Sequence, residues 1–210
     1  MSGMAKTSKA WMREHVTDPY VKRAKTQGYR SRAAYKLLEI AEKDQLLKPG
    51  MTVVDLGASP GGWSQVAAKA VGAAGSVLAV DALEMAQVPG VTIIRGDFGD
   101  GSTLAELEGA LENRPVDLVL SDMAPNLSGI ASADQARAVV LAELALEFSL
   151  NHLKPHGNFL VKTFQGAGYD GLVAMLRRSF VQVQTRKPDA SRSRSSEVYL
   201  LGKGLRGKGG

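Results

Sequence analysis

Short apolar runs and stretches of helical periodicity alternate along most of the chain. Apolar runs rich in Val, Leu and Ile predict seven strands, at 52–57, 76–82, 91–98, 116–123, 158–164, 181–186 and 197–201. Apolar positions near helical spacing predict helices at 31–47, 62–71, 102–113, 133–153 and 168–179. We therefore expect an α/β fold, a mostly parallel seven-stranded sheet with helices on both faces. The last two strands follow too closely for a helical crossover and should pair antiparallel.

Composition narrows the class of protein. The chain has 210 residues, of which 44% are hydrophobic and 22% charged, as in one soluble globular domain rather than a disordered or fibrous chain. It has no cysteine, which excludes disulfide scaffolds, thiolate metal sites and cysteine nucleophiles. No apolar stretch reaches the roughly 18 residues of a membrane span, and residues 1–10 lack a signal-peptide core. We expect a cytoplasmic protein without a membrane partner.

The net charge of +5 is unevenly distributed. Residues 1–36 carry a net charge of +7 and residues 186–210 carry +5, whereas the chain between them carries −7. This pattern predicts a basic arm at 1–28, a globular domain at 29–204 and a basic tail at 205–210. Basic ends suit the phosphates of nucleic acids, although solvated tails are the alternative. The predicted RNA contacts are Lys6, Lys9, Lys22, Arg23, Lys25, Arg30, Arg32, Arg192 and Arg194.

Aromatic residues lie among the charges of this N-terminal region. Tyr20, Tyr29 and Tyr35 are interleaved with its lysines and arginines. Because aromatic rings stack on unpaired bases, this mixture favours RNA over a merely solvated tail.

A glycine-rich turn follows the first predicted strand. Residues 55–63 read DLGASPGGW, and glycines at the carboxyl end of a parallel strand let a ligand approach the backbone. A dinucleotide fingerprint would need glycine where Ser59 stands, which weakens a nicotinamide-dependent oxidoreductase. A phosphate loop would need lysine where Trp63 stands, which disfavours ATP hydrolysis.

Acidic residues mark the ends of the first three strands. Asp55 precedes the turn, Asp81 ends the second strand and Asp97 ends the third. Carboxylates accept hydrogen bonds from an amino group, a ribose diol and an adenine amino group. Together with the turn they favour S-adenosylmethionine as cofactor, the alternative being an ordinary turn with acids that cap helices.

Two charged residues interrupt the next two apolar strands. Asp122 ends the fourth strand and Lys162 lies within the fifth. A lysine in a buried strand costs free energy unless it is paired or used in chemistry. Adjacent strands should bring Lys162 beside Asp122 at the sheet edge that carries the glycine turn. A salt-bridged structural lysine is the alternative, and on residue grounds Lys36 and Glu197 are ordinary surface positions.

Five segments together resemble the FtsJ/RrmJ family of ribosomal RNA 2′-O-ribose methyltransferases over nearly the whole chain. They are SRAAYKL at 31–37, DLGASPGGWS at 55–64, SDMAPN at 121–126, VKTF at 161–164 and SRSSEVY at 193–199. The resemblance implies a Rossmann-like S-adenosylmethionine-dependent methyltransferase fold. It further implies a uridine of 23S ribosomal RNA, in the large ribosomal subunit, as the substrate.

The resemblance also implies specific site residues. A catalytic tetrad corresponds to Lys36, Asp122, Lys162 and Glu197, with Lys162 as proton acceptor. Its cofactor contacts fall on Gly61, Trp63, Asp81, Asp97 and Asp122, to which the turn residues Asp55 and Gly57 are added.

The reaction explains why such residues are needed. A ribose hydroxyl must lose its proton as it attacks a methyl group, and a positioned base assists that loss. Burial and a cationic Lys36 favour the neutral amine of Lys162, whereas Asp122 and Glu197 favour the ammonium, and the sequence leaves both open. No metal is expected, because a sulfonium methyl donor is already activated, and a monomer is expected. Two alternatives are a 2′-O-methyltransferase for tRNA or another RNA and a non-catalytic RNA-binding ribosome-assembly factor.

Overall fold

A seven-stranded sheet forms the centre of the computed structural model, which describes residues 18–125, 129, 131–192 and 195–207. Its strands are β1 (Thr52–Leu56), β2 (Ser76–Asp81), β3 (Val91–Arg95), β4 (Val116–Ser121), β5 (Leu153–Phe164), β6 (Phe180–Arg186) and β7 (Glu197–Leu205). The helices are α1 (Pro19–Gln27), α2 (Ala33–Asp44), α3 (Gly62–Val71), α4 (Gly101–Leu111), α5 (Ala131–His152) and α6 (Tyr169–Ser179).

The sheet has the order β3-β2-β1-β4-β5-β7-β6. The first five strands in this order pair in parallel, whereas β7 lies between β5 and β6 and is antiparallel to both. The predicted mostly parallel sheet and the antiparallel pairing of the last two strands are confirmed. Because strand order reverses between β1 and β4, their carboxyl ends border the crevice where ligands bind in such sheets.

Two apolar cores cover the two faces of the sheet. One packs α4, α5 and α6 against residues such as Val54 and Val80, and the other packs α2 and α3 against their neighbours Val53 and Ala79. Successive strand residues point to opposite faces, so a continuous apolar run supplies both cores.

Several predicted boundaries differ from the observed ones. Helix α3 has the predicted bounds, but α2 begins two residues later and ends at Asp44, where Gln45 adopts a left-handed conformation with φ of 51°. Strand β5 begins at Leu153, well before the predicted residue 158. Its first residues, Lys154, Pro155 and His156, have the composition of a loop.

Helix α1 was not predicted, because charged residues occupy most of its surface. Asp18 caps it by accepting a hydrogen bond from the Tyr20 backbone N–H at 2.9 Å. Its buried residues are Val21 and Ala24, and Ala24 belongs to a small apolar cluster that includes Tyr35. Residues 19–27 of the predicted basic arm are thus helical and packed on the domain.

Within the described ranges, no helix is long and apolar enough to cross a membrane.

Candidate active site at the carboxyl ends of the parallel strands

The glycine turn after β1 is held tightly by its neighbours. Gly57 has a φ of 75° and donates its N–H to the Val80 carbonyl at 2.9 Å. A Cβ at this position would lie 2.7 Å from the Met123 backbone nitrogen, so only glycine fits without a shift. Gly61 has a φ of 103°, and a Cβ there would meet side-chain atoms of Arg30 and Met85 at 3.0 Å.

Two of the predicted cofactor residues are carboxylates held by backbone amides. Asp81 accepts from the Ser59 N–H and the Leu83 N–H, one on each oxygen and both at 2.8 Å. Asp97 is exposed and accepts from the Gly99 N–H at 2.9 Å. Since each carboxylate oxygen has two lone pairs, both groups keep acceptor capacity for a ligand.

Trp63 is buried, and its indole contributes to packing. The indole N–H donates to the Ala33 carbonyl at 2.8 Å, and its ring centroid lies 5.5 Å from that of Tyr199. The Trp63 side chain is therefore used within the protein, and a cofactor contact by this residue stays a prediction.

Asp55 is fully buried beneath the glycine turn. Its Oδ2 accepts from the Ser64 hydroxyl at 2.6 Å, whereas Oδ1 has no hydrogen-bond partner among the described residues. Burial, reinforced by the carboxylates of Asp122 and Asp81, raises the pKa of Asp55 to about 7. Asp55 thus supports the turn from below, and its direct contact with a cofactor stays a prediction.

Lys162 and Asp122 meet where the sequence predicted. The Lys162 Nζ lies 3.1 Å from Asp122 Oδ1 and donates to the Asp122 carbonyl oxygen at 2.5 Å. Lys162 is 8% exposed, so this pairing offsets the cost of burying its charge. The expected juxtaposition across the adjacent strands β4 and β5 is confirmed.

Lys36 and Glu197 form a second ion pair beside the first. The Lys36 Nζ on α2 lies 2.6 Å from Oε1 of Glu197, the first residue of β7. Ser191 also donates to Glu197 Oε1, at 3.1 Å. Strand β7 pairs with β5, the strand that contains Lys162. Lys36 and Glu197, which are 161 positions apart in sequence, therefore meet at the same end of the sheet as Lys162. The four predicted tetrad residues lie together.

Tyr199 joins the two pairs, and the sequence analysis assigned it no role. Its hydroxyl lies 3.0 Å from Asp122 Oδ1 and 3.4 Å from Glu197 Oε1, and can donate to either. Burial, together with these two carboxylates, raises the pKa of Tyr199 well above its usual value, so the phenol stays a proton donor. The sequence did contain a signal for this role. Tyr199 lies two residues after Glu197, and strand residues two apart point to the same face of a sheet.

The predicted RNA-contact residues differ in their exposure and in the contacts that they make within the protein. Lys22, Arg23 and Lys25 are exposed on α1, with the Arg23 guanidinium 4.8 Å from the centre of the Tyr35 ring. The Arg30 guanidinium donates to backbone carbonyls, and Arg32 pairs with Asp18 and donates to the Ala190 carbonyl.

Arg192 is half-buried before β7. The predicted contacts Lys6, Lys9 and Arg194 lie outside the described residues.

The three tyrosines do not form the predicted base-stacking set. Tyr35 is only 3% exposed, and its hydroxyl donates to the Gln27 side chain at 2.8 Å. Tyr20 and Tyr29 pack on it with ring centroids 5.5 and 5.6 Å away. The prediction that Tyr35 stacks on bases is wrong, because packing α1 on the domain buries that ring.

No cluster of three or more His, Asp or Glu side chains suited to a metal ion occurs in the part of the chain that the structure describes.

Comparison with known proteins identifies the family. Residues 29–205 match the model of the FtsJ-like methyltransferase family. Two relatives bear the name ribosomal RNA large subunit methyltransferase E. The one from Methylobacillus flagellatus is 63% identical over 93% of this chain and 95% of its own. The one from Neisseria meningitidis is 59% identical over 98% of this chain and 100% of its own.

Solved structures agree with this match. A Plasmodium falciparum chain described as a ribosomal RNA methyltransferase superposes with a TM-score of 0.74 at 28% identity, covering 84% of this chain and 98% of its own. A Clostridium thermocellum chain, at 17% identity and a TM-score of 0.52, shares the fold and covers 80% of this chain and 97% of its own. The family match and the near full-length relatives lead to one conclusion: this chain belongs to the FtsJ-like methyltransferase family and is an enzyme of that class.

Proposed function

We propose that the protein transfers a methyl group from S-adenosylmethionine to the ribose 2′-hydroxyl of a uridine in 23S ribosomal RNA of the large subunit. The observation that carries the proposal is the contact between the Lys162–Asp122 pair and the Lys36–Glu197 pair through Tyr199, at the edge that bears the glycine turn. The names of the close relatives support ribosomal RNA of the large subunit as the substrate.

The glycine turn and its carboxylates fit the cofactor. Asp81 and Asp97 keep lone pairs for a ribose diol and an adenine amino group. Asp122 adds a carboxylate at the next strand end, near the predicted position of an amino group. When bound, S-adenosylmethionine supplies a methyl group already activated by its sulfonium charge, so the reaction needs no metal.

Lys162 is proposed to accept the proton of the ribose hydroxyl. A neutral amine has two N–H donors and one lone pair, and Lys162 Nζ has two acceptors, the carbonyl oxygen and Oδ1 of Asp122. If both N–H groups are used there, the lone pair is left to accept the proton of the ribose hydroxyl. Asp122 thereby orients the amine, which is the positioning that general base catalysis requires.

Lys36 and Glu197 hold the ribose and set the local charge. The Tyr199 hydroxyl is within hydrogen-bond distance of both carboxylates, Asp122 paired with Lys162 and Glu197 paired with Lys36. A hydroxyl between the two lysines would find the ammonium of Lys36 as a donor and the amine of Lys162 as an acceptor. The developing negative charge on the oxygen is then stabilised by Lys36.

The exposed cations of α1 are proposed to bind the RNA backbone. Lys22, Arg23 and Lys25 project from the packed helix, and Lys6, Lys9 and Arg194 extend the same predicted set. Residues 1–28 would then act as the RNA-binding arm of a methyltransferase domain at 29–204, with 205–210 as a basic tail. We propose that the protein is cytoplasmic, since its substrate is the ribosome's own RNA. We also propose that it is a monomer.

The test is methyl transfer from S-adenosylmethionine labelled in its methyl group. Purified protein is incubated with large ribosomal subunits, with deproteinised 23S RNA and with tRNA. We expect label in 23S RNA, either free or within the subunit, and none in tRNA. Label in tRNA would favour tRNA as the substrate. A protein that binds RNA but transfers no methyl group would favour a non-catalytic ribosome-assembly factor.

A further inference from the structure

Arg30 links the two loops that border the predicted cofactor crevice. Its guanidinium donates to the Pro60 carbonyl at 3.3 Å, in the glycine turn. It also donates to the carbonyls of Ala86 and Gln87, at 2.5 and 2.6 Å, in the loop between β2 and β3. One side chain therefore ties together segments that are separated by a strand and a helix in the sequence.

Both loops that Arg30 contacts adjoin predicted cofactor-binding residues. Pro60 directly precedes Gly61, and the β2–β3 loop begins immediately after Asp81. At Gly61 the two loops come close together, because a Cβ there would meet Met85 and Val88 of the second loop and the Arg30 guanidinium, each at 3.0 Å. Arg30 thus lies where the two loops meet.

The backbone of Arg30 is fixed as well as its side chain. The Arg30 N–H donates to Gln65 Oε1 at 2.9 Å, and the Gln65 amide donates to the Gly28 carbonyl at 3.0 Å. Gln65 lies on α3, one turn into the helix that the glycine turn opens. The guanidinium therefore starts from an anchored position, which lowers the entropy cost of holding both loops.

We propose that Arg30 is a positioning residue of the cofactor crevice, rather than the RNA contact that its charge suggested. The inference rests on the proposed function, since it takes S-adenosylmethionine as the ligand of that crevice. A planar guanidinium spans several carbonyls in a fixed geometry, whereas a lysine ammonium is a single point of donation. Three of its hydrogen bonds are already made within the protein, which leaves it poorly placed to neutralise a phosphate.

The test compares Arg30→Lys and Arg30→Ala with Arg178→Lys, which changes an exposed arginine in the last turn of α6. Both Arg30 variants should weaken S-adenosylmethionine binding by about tenfold in calorimetric titration, the scale of losing hydrogen bonds to a charged group. The rate at saturating cofactor should stay within about threefold of wild type, and RNA affinity within about twofold. Arg178→Lys should leave cofactor affinity, methyl-transfer rate and RNA affinity unchanged.

A second variant keeps the proposal testable if Arg30→Ala folds poorly. Gln65→Leu releases the Arg30 backbone without altering either loop, and should weaken cofactor binding by about threefold. The proposal is overturned if Arg30→Lys and Gln65→Leu both bind S-adenosylmethionine as wild type does. It is also overturned if Arg30→Ala lowers RNA affinity and Arg30→Lys restores it. Failure of the wild-type protein to bind the cofactor would instead refute the proposed function.

Discussion

The two halves of the candidate site hold their carboxylates in different ways. On the glycine-turn side, Asp81 and Asp97 accept hydrogen bonds from backbone amides, mostly two residues away in sequence. On the tetrad side, Asp122 and Glu197 are held by lysines 40 and 161 residues distant, respectively. The first arrangement is largely local, and among the described residues it gives neither carboxylate a lysine or arginine partner. The second is assembled by the fold and pairs each carboxylate with a lysine.

This difference suits two chemical tasks. Backbone amides fix a carboxylate in place and leave its charge for a ligand that is itself a cation and a donor, such as the proposed cofactor. Ion pairs with carboxylates instead orient lysine side chains for a reaction and keep the buried cluster close to neutral. Substitutions on the two sides should therefore separate cofactor affinity from the rate of transfer.

The largest expected effect is that of Lys162→Ala. Removing the proposed base should slow methyl transfer at saturating substrates by about 10²- to 10⁴-fold, the range of general base catalysis. Affinity for S-adenosylmethionine, measured by calorimetry, should stay within a few-fold.

Lys162→Arg is the stricter control for that result. It keeps the positive charge but cannot act as a neutral base near pH 7, so it should be nearly as inactive as the alanine variant. Substantial activity in Lys162→Arg would assign Lys162 to electrostatic positioning of the ribose. Wild-type rates in Lys162→Ala, with chemistry limiting, would remove Lys162 from catalysis.

The next effect concerns stability and its dependence on pH. The folded protein keeps a proton on Asp55 up to about pH 7, whereas the unfolded chain loses it near 3.8. The folded state therefore binds the extra proton between these values, so wild-type stability should fall as pH rises from about 4 to 7. Asp55→Asn, which still accepts from Ser64, should remove this fall and be the more stable protein at pH 8 by roughly 4 kcal/mol.

Urea unfolding at pH 4, 6 and 8 measures this prediction, and Asp44→Asn is its control. Asp44 is also a buried carboxyl, but it is paired with Arg186 at 2.7 Å and Lys203 at 3.1 Å. Its neutralisation should destabilise the protein at neutral pH, the opposite sign from Asp55→Asn. Equal stability of wild type and Asp55→Asn at pH 8 would mean that the Asp55 proton is not retained.

Asp81→Ala should act on binding alone. Losing this acceptor should weaken S-adenosylmethionine binding by about 1.5–3 kcal/mol, the scale of a charge-assisted hydrogen bond. The rate at saturating cofactor should change much less, in contrast with Lys162→Ala. Glu84→Ala, an exposed acid of the same loop, is the matched control and should bind normally. Unchanged affinity in calorimetric titration of Asp81→Ala would remove that residue from the site.

The smallest effect is expected from two cations of α1. Replacing Lys22 and Lys25 by glutamine should weaken RNA binding and flatten its salt dependence by roughly 0.7 per lost phosphate contact on single strands. Cofactor affinity should not change. Lys69→Gln, an exposed lysine in the last turn of α3, should leave the salt slope as it is. An equal slope in the Lys22/Lys25 variant would mean that α1 does not touch the RNA.

The same contrast explains what could be predicted from the sequence. The glycine turn, helix α3 and the strand-end acids are recognisable because a few adjacent residues determine their conformation. The pairing of Lys162 with Asp122 also followed, since both lie on strands expected to be neighbours. These parts of the site depend on local chemistry and on a sheet order that the fold class fixes.

Features that depend on long-range packing were not predictable in the same way. Tyr199 gains its role only because β7 inserts beside β5 and brings its hydroxyl to Asp122. Arg30 and Arg32 were read as RNA contacts from their charge, yet both guanidinium groups donate to backbone carbonyls within the protein. Tyr35 lost its expected exposure to the packing of α1. The charge or aromatic ring of a side chain indicates which ligands it can bind. Its burial and its contacts within the folded protein determine whether it is available to bind them.

The central claim is that this site methylates a ribose oxygen, and the position of the transferred methyl group tests it most directly. RNA labelled by the wild-type protein is digested with alkali, which cleaves wherever a free 2′-hydroxyl can attack its neighbouring phosphate. The account predicts label in alkali-resistant dinucleotides, and almost none with Lys162→Ala under the same conditions. Label recovered in mononucleotides would place the methyl group on a base and contradict the account.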